Sequence, residues 1–328
     1  MARESADPRD LSLEALGWSA FFADQLTAAE AGRLVPARVF ATGRKSVTAV
    51  FVGGSAELPL GGRWFRGDPE ARPTIGDWLV LDARCRAIER RLGRRSLLKR
   101  RAAGREHEVQ LIAANVDTMF LVSACNEEFK PSRIERYLAL ALDAGVEPVV
   151  VLTKADLVAD AASFVAAVRR LKRDLAVAAV DARDPAALEG VRGWCGVGRT
   201  VALLGSSGVG KSTLVNTLCG QAVQRTREAR QDDAKGRHTT TRRSLHLLPD
   251  GGVLVDNPGM RELSLAEAEL GAAELFDDLA ELAEGCRFRD CRHDSEPGCA
   301  VRAAIERGEL DVRRLESFRK IKEKRGYG

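Results

Sequence analysis

The sequence predicts an α/β fold in which a mostly parallel sheet is preceded by a small β-barrel and followed by a helical segment. Three observations predict it. After residue 105, continuous apolar strands alternate with amphipathic helical patterns; before it, short β-like runs are separated by Gly- and Pro-bearing turns; near the C-terminus, a helical pattern is interrupted by clustered Cys and His.

Residues 1–34 read as a short helical extension with Leu11, Leu13, Leu16, Trp18 and Phe21 on its apolar side and no chemistry of its own. Over 35–102 the runs ARVF, VTAVFVGG and WLVLD, divided by PLGGRW and RPTIGDW, suit a barrel of the oligonucleotide-binding (OB) type. An SH3-like barrel or a plain packing module is the other reading of the same pattern. From 103 to 265, strands read at 116–124, 148–153, 176–182, 199–205 and 251–259, with helical patterns at 133–145 and 161–175. Strands this apolar are buried on both faces, which requires helices above and below a parallel sheet. Residues 266–328 form the helical segment that carries the Cys/His cluster.

The chain has 328 residues, 45% hydrophobic and 30% charged, long enough for several domains and too apolar for a disordered chain. The net charge of +4 does not by itself point to nucleic acid. Its distribution says more, because Arg and Lys crowd Arg84 to Arg105 and Arg313 to Arg325. Such runs are solvated surface or contacts to RNA or another polyanion. The polar start lacks the apolar core of a secretory signal, and no run approaches the roughly 20 apolar residues of a membrane span. A cytoplasmic location without membrane contact is therefore expected, and a monomer is the expected state. Seven cysteines in such a compartment suggest metal rather than disulfides where they cluster.

The strongest motif is Gly205-Ser206-Ser207-Gly208-Val209-Gly210-Lys211-Ser212-Thr213, which matches GxxxxGK[ST] between the strand VALLG and the helix STLVNTLCG. Glycines let backbone N–H groups close around phosphate oxygens at a helix N-terminus. Lys211 would reach the β- and γ-phosphates, and the Ser212 hydroxyl would ligate Mg²⁺. Thr153-Lys154-Ala155-Asp156 ends the strand VVVLT and resembles the [NT]KxD guanine signature, with Asp156 accepting from the base N–H groups and Lys154 packing its stem over the ring. On its own TKAD is also an ordinary strand end with a helix cap. Beside a P-loop it favours guanine.

Asp256-Asn257-Pro258-Gly259 resembles the DxxG switch, in which Asp256 would hold Mg²⁺ through water and the Gly259 N–H would meet the γ-phosphate. Gly236-Arg237-His238-Thr239-Thr240-Thr241 lies where GTPases keep a Thr on Mg²⁺; Thr240 is the choice, with Thr239 the alternative. The base-contacting loop usually written SA is represented by Val180-Asp181-Ala182, where Asp181 stands in place of Ser. TKAD thus precedes VDA, the P-loop, HTTT and DNPG, so the order is circularly permuted relative to an ordinary small GTPase. As a result the DNPG switch leads directly into the C-terminal segment, poised to move it.

Cys286-x4-Cys291-x-His293-x5-Cys299 gathers three thiols and an imidazole in CRFRDCRHDSEPGC. Cys₃His is a closed structural Zn²⁺ set, against a reading as buried thiols. Cys85, Cys125, Cys195 and Cys219 are scattered and read as core thiols, and His107 and His246 lack ligand-like company.

Together TKADL, GSSGVGKSTLVN, GRHTTT, DNPGMREL, the Cys/His spacing and QLIAANVDTMFLV closely resemble the RsgA (YjeQ) family of circularly permuted, small-ribosomal-subunit-dependent GTPases, over about Arg105 to Val301. That resemblance implies an α/β P-loop GTPase domain with an N-terminal OB-fold barrel and a C-terminal zinc-binding helical domain. It also implies GTP hydrolysis stimulated by the small ribosomal subunit, binding to its ribosomal RNA, and a part in late subunit maturation. Met260 follows DNPG where Ras-like enzymes carry a water-orienting Gln, so intrinsic turnover should be slow. His238 is the nearest candidate to serve catalysis with Thr240, its other reading being an RNA or packing contact. A P-loop ATPase or kinase acting on a small substrate, and an RNA-binding scaffold with a structural nucleotide, are the competing functions. TKAD and HTTT argue against the first; Lys211, Ser212 and Asp256 argue against the second.

Overall fold

In the computed structural model the described residues are 11–101, 109–172, 174–222, 244–256 and 275–323. A four-residue helix, α1 (Ala20–Ala23), leads into the barrel strands β1 (Val35–Thr42), β2 (Ser46–Phe51), β3 (Gly54–Pro59), β4 (Trp78–Leu81) and β5 (Ile88–Arg91). A hairpin of β6 (Leu97–Arg101) and β7 (Val109–Ala114) follows. Then come β8 (Thr118–Ala124), α2 (Pro131–Asp143), β9 (Glu147–Thr153), α3 (Ala161–Arg169), β10 (Ala176–Ala179), α4 (Glu189–Arg192), β11 (Thr200–Leu204), α5 (Lys211–Cys219), β12 (Ser244–Leu247) and β13 (Val253–Asp256). Helices α6 (Asp277–Glu284), α7 (Ala300–Glu306) and α8 (Val312–Glu323) complete the described chain.

Period-two burial explains the central sheet. On β8, Met119 and Leu121 pack into one apolar cluster with Ile134 and Leu138 of α2, while Phe120 and Val122 pack into a second with Leu214 and Leu218 of α5. Strands β10, β9, β8, β11 and β13 run parallel in that order, and β12 closes the set antiparallel to β13. The parallel doubly covered sheet expected from the sequence is therefore present. The run read to 182 stops at Ala179, because Val180 to Ala182 turn over the strand ends.

The barrel is a curled antiparallel sheet in the order β3-β2-β1-β4-β5, an OB-like layer around Ala37, Val39, Val47, Ala49, Leu58, Leu79 and Leu81. It is not separate from the nucleotide domain. One edge of β1 pairs with β4 through Val35–Arg38 and then with β12 at Ala41↔Ser244, so a single 11-stranded sheet runs through both. Arg38 of β1 is buried at the joint, donating to Thr200 Oγ1 at 2.6 Å and to the Leu16 carbonyl. Burial lowers its pKa to about 10, partly opposed by Asp117 and Asp77, so it keeps its charge at neutral pH.

The segment read as a helical extension is helical only at Ala20–Ala23, and residues 1–10 lie outside the described residues. Its aromatic side chains wrap onto β4 instead, with Trp18 edge-on to Trp78 at 4.8 Å. The basic run is also less free than its composition suggests. Arg94 forms a two-pronged pair with buried Asp77 at 2.7 Å, and Arg90 pairs with Glu30 at 2.8 Å. In the second basic run, Arg314 is buried against α2 and the start of α6. It lies 2.7 Å from Asp278, 3.8 Å from Glu135, and donates to the Leu171 carbonyl.

Candidate nucleotide site and metal cluster

Parallel strands deliver their C-terminal ends to one edge of the sheet, and the loops that leave that edge make the site. There β11 runs into the P-loop, β9 into Thr153–Asp156, β10 into Val180–Ala182 and β13 into Asp256. Thr153 and Asp256, more than a hundred residues apart in the chain, reach the same sheet edge because β9, β8, β11 and β13 lie side by side in that order, not because the motifs are close in the chain.

Two P-loop glycines are dictated by geometry. A Cβ on Gly205 would lie 2.3 Å from the Val122 carbonyl oxygen, so only glycine lets β11 leave the sheet against β8. Gly210 adopts φ +93° immediately before α5, a conformation that L side chains rarely take. The helix then starts at Lys211, whose Nζ donates to the Gly205 carbonyl at 2.6 Å and to that of Ser206. Ser212 and Thr213 sit in the first turn of α5, and Ser207 and Gly208 are exposed on the loop.

The TKAD residues are fastened to this loop. The buried Thr153 hydroxyl donates to the Val209 carbonyl at 2.5 Å, and Lys154 Nζ donates to the Gly208 carbonyl at 3.1 Å. Lys154 takes a left-handed φ of 58°, which turns the chain into a short 3₁₀ turn holding Ala155 and Asp156. The VDA loop is laced to the same framework. Ala155 N–H donates to the Val180 carbonyl at 3.3 Å, and Thr217 of α5 donates from its hydroxyl to the Ala182 carbonyl at 2.7 Å. Base motif, VDA loop and P-loop therefore form one hydrogen-bonded unit. Gly259, His238, Thr239 and Thr240 lie outside the described residues.

An RsgA GTPase family model matches residues 91–266. Over 316 residues the chain is 46% identical to the small ribosomal subunit biogenesis GTPase RsgA 2 of Vibrio vulnificus, covering 96% of this chain and 88% of that protein. It is 47% identical over 313 residues to the RsgA of Mesorhizobium japonicum, covering 94% of this chain and 89% of that one. The chain belongs to the RsgA GTPase family. The crystal structure of YjeQ from Thermotoga maritima superposes with a TM-score of 0.65 at 25% identity, covering 90% of this chain and all of that one. YloQ, described as a circularly permuted GTPase, shares the fold with a TM-score of 0.62 at 20% identity, over 90% of this chain and 97% of that one. The permuted motif order read from the sequence is thus the family's architecture, and this RsgA-family protein hydrolyses GTP.

The C-terminal cluster of this RsgA GTPase brings Cys286, Cys291, His293 and Cys299 together, with all four ligand atoms within 4.8 Å of one another. Cys286 Sγ and Cys299 Sγ lie 3.9 Å apart, and they lie 3.6 and 3.5 Å from His293 Nδ1. A tetrahedral ion with ordinary metal–sulfur and metal–nitrogen bonds sets these edges at about 3.8 and 3.6 Å. The donor set fits one metal ion. Cys299 also caps α7, its sulfur accepting from the Arg302 N–H at 3.4 Å.

Two site arginines had no motif to announce them. Arg133, in the first turn of α2, donates to Ser206 Oγ at 2.6 Å and braces the P-loop. Arg183 donates to Asp156 Oδ2 at 2.6 Å and to Asp181 at 3.0 Å. Hydrogen bonds from Arg183, before any other cause, hold the Asp181 carboxyl below its ordinary range.

Proposed function

We propose that this GTPase binds the small ribosomal subunit and its RNA, assists late subunit maturation, and uses GTP hydrolysis to drive its own release. The observation that supports this most is the coupling of a guanine-type TKAD turn to the P-loop, in a chain 46–47% identical over at least 94% of its length to GTPases named for small-subunit biogenesis.

In this reading Asp156 accepts from the guanine N–H groups and Lys154 covers the base, with Thr153 and Ala155 holding the turn. The backbone from Gly205 to Thr213 cradles the phosphates, Lys211 neutralises β- and γ-oxygens, and the Gly259 N–H meets the γ-phosphate. Ser212, Thr240 and Asp256 would hold Mg²⁺, which supplies charge neutralisation to the phosphates. The P-loop start of α5 and the end of β13 at one sheet edge suit that set. His238 beside Thr240 is the proposed group for orienting water, since Met260 cannot. The Cys₃His cluster fits Zn²⁺ as a closed structural site. Among the described residues no helix is long and apolar enough to cross a membrane. We place the protein in the cytoplasm as a monomer, with the domains divided at 1–34, 35–102, 103–265 and 266–328.

The test is GTP hydrolysis measured with and without purified small ribosomal subunits. Stimulation by small subunits but not large ones, with ATP unable to compete, is expected. A rate indifferent to the small subunit overturns the ribosomal reading while leaving the GTPase intact.

A further inference from the structure

Where the base-reading turn meets the VDA loop, this chain sets two carboxylates side by side. Asp156 belongs to the 3₁₀ turn after β9, and Asp181 follows β10, the neighbouring parallel strand. One guanidinium lies between them. Arg183 Nη2 donates to Asp156 Oδ2 at 2.6 Å and to Asp181 Oδ2 at 3.0 Å, while its Nε and its own backbone N–H reach Asp181 Oδ1 at 3.0 and 2.9 Å. The bridge is local and rigid at its root, because Ala182 between the two residues is buried and its carbonyl is tied to Thr217 of α5.

We propose that Arg183 is a positioning residue of the guanine site: it neutralises the extra carboxylate of Asp181 and holds Asp156 in place to receive the base. This rests on the assignment of Asp156 to the base. A carboxylate offers about four lone-pair positions, so Asp156 can accept from Arg183 and from the guanine edge together. Without the cation, two neighbouring carboxylates repel, which favours displacing the one that must read the base. Arg183 and Asp181 thereby act as a pair. The aspartate in place of the usual serine is tolerable because the arginine two residues later answers its charge.

Fluorescent N-methylanthraniloyl-GDP, titrated into the full-length protein with Mg²⁺, tests this. Because the pair is partly exposed, Arg183→Gln should weaken binding by about three- to fivefold, and the deficit should shrink as salt rises. Arg183→Lys, which keeps the charge, should recover part of the loss. The decisive variant is Asp181→Ser/Arg183→Gln, which should return to within about twofold of the unmodified protein. Unchanged binding in Arg183→Gln overturns the proposal, and so does a deficit that persists in the Asp181→Ser background, since Arg183 would then act on the nucleotide directly. The base assignment fails separately, if ATP displaces the probe from the unmodified protein as well as GTP does.

Discussion

The Thr153 hydroxyl and the Val209 carbonyl, 2.5 Å apart, join the end of β9 to the middle of the glycine-rich loop that follows β11. Thr153 is fully buried and Val209 nearly so, so water has no access to replace the bond. Thr153→Val keeps the shape and removes the donor, leaving a buried carbonyl without its partner at a cost of about 1 kcal/mol or more. Both GTP and GDP should weaken together, roughly fivefold, because the tether steadies the whole loop rather than any one phosphate oxygen. Thr153→Ser should bind like the unmodified protein. Calorimetric titration with each nucleotide measures it; a weakening confined to GTP would contradict the tether.

Guanine selectivity should rest on Asp156. Asp156→Asn replaces a pure acceptor with a group that presents a donor to the base N–H edge, costing about 3 kcal/mol, on the order of a hundredfold in GTP affinity. Xanthosine triphosphate, whose added carbonyl accepts from the new amide, should bind the variant better than GTP does. Competition among GTP, ATP and xanthosine triphosphate measures this, and equal binding of ATP and GTP by the unmodified protein would rule it out.

What the sequence made legible was local. The P-loop, TKAD and the cysteine spacing each place their groups within a few residues, so backbone geometry alone brings the chemistry together. The sheet shared between barrel and nucleotide domain was not legible, because it depends on Ala41 meeting Ser244 across two hundred residues. Arg94 and Arg314 looked like surface charge for a related reason: the carboxylates they pair with, Asp77 and Asp278, lie 17 and 36 residues away. Arg183 is close to Asp181 but 27 residues from Asp156, and only the parallel pairing of β9 with β10 brings the three together.

Metal loss should separate the C-terminal helices from the nucleotide site. Cys291→Ser should lower zinc well below one ion per chain by elemental analysis. It should also raise backbone hydrogen exchange in α6 and α7, whose connecting loop the cluster closes. Nucleotide affinity should hold within about twofold, as the P-loop lies on another part of the molecule. Unmodified protein that binds less than half an ion per chain after careful preparation argues against zinc.

The docking of α8 on α2 should be pH-sensitive through Glu135. Burial pushes the Glu135 carboxyl above its ordinary 4.5; Ser317 and Arg314 oppose the shift and Asp311 adds to it. An acid whose pKa is raised by folding adds stability below 4.5 that is lost as pH rises through the elevated value. Glu135→Gln mimics the protonated form, so the two proteins should match in denaturant at pH 4.5, and the variant should be the more stable at pH 8. The opposite trend would mean that the Arg314 ion pair outweighs desolvation.

The last prediction concerns how the γ-phosphate is felt at a distance. Asp256, the Asp of DNPG, lies opposite Ser244 across the β12–β13 pair, and Ser244 lies opposite Ala41 of the barrel. A shift at the end of β13 therefore has a hydrogen-bonded route through β12 into β1, while the chain beyond Asp256 leads toward the zinc helices. Nucleotide state should thus set how the barrel and the C-terminal helices are presented together to RNA, through exposed cations such as Arg84 and Arg86. Affinity for small subunits should be higher with a non-hydrolysable GTP analogue than with GDP, by five- to 150-fold for an ordinary coupling of ~1–3 kcal/mol. In both states it should fall steeply with salt, because phosphate contacts displace counterions. Thr240→Ala should still bind nucleotide yet erase the difference between states, which separates switching from binding. Sedimentation of the protein with purified small subunits across a salt series gives both affinities. If analogue and GDP states prove indistinguishable at every salt concentration, the route through Ser244 carries no signal and the switch model is wrong, though GTP hydrolysis itself would stand.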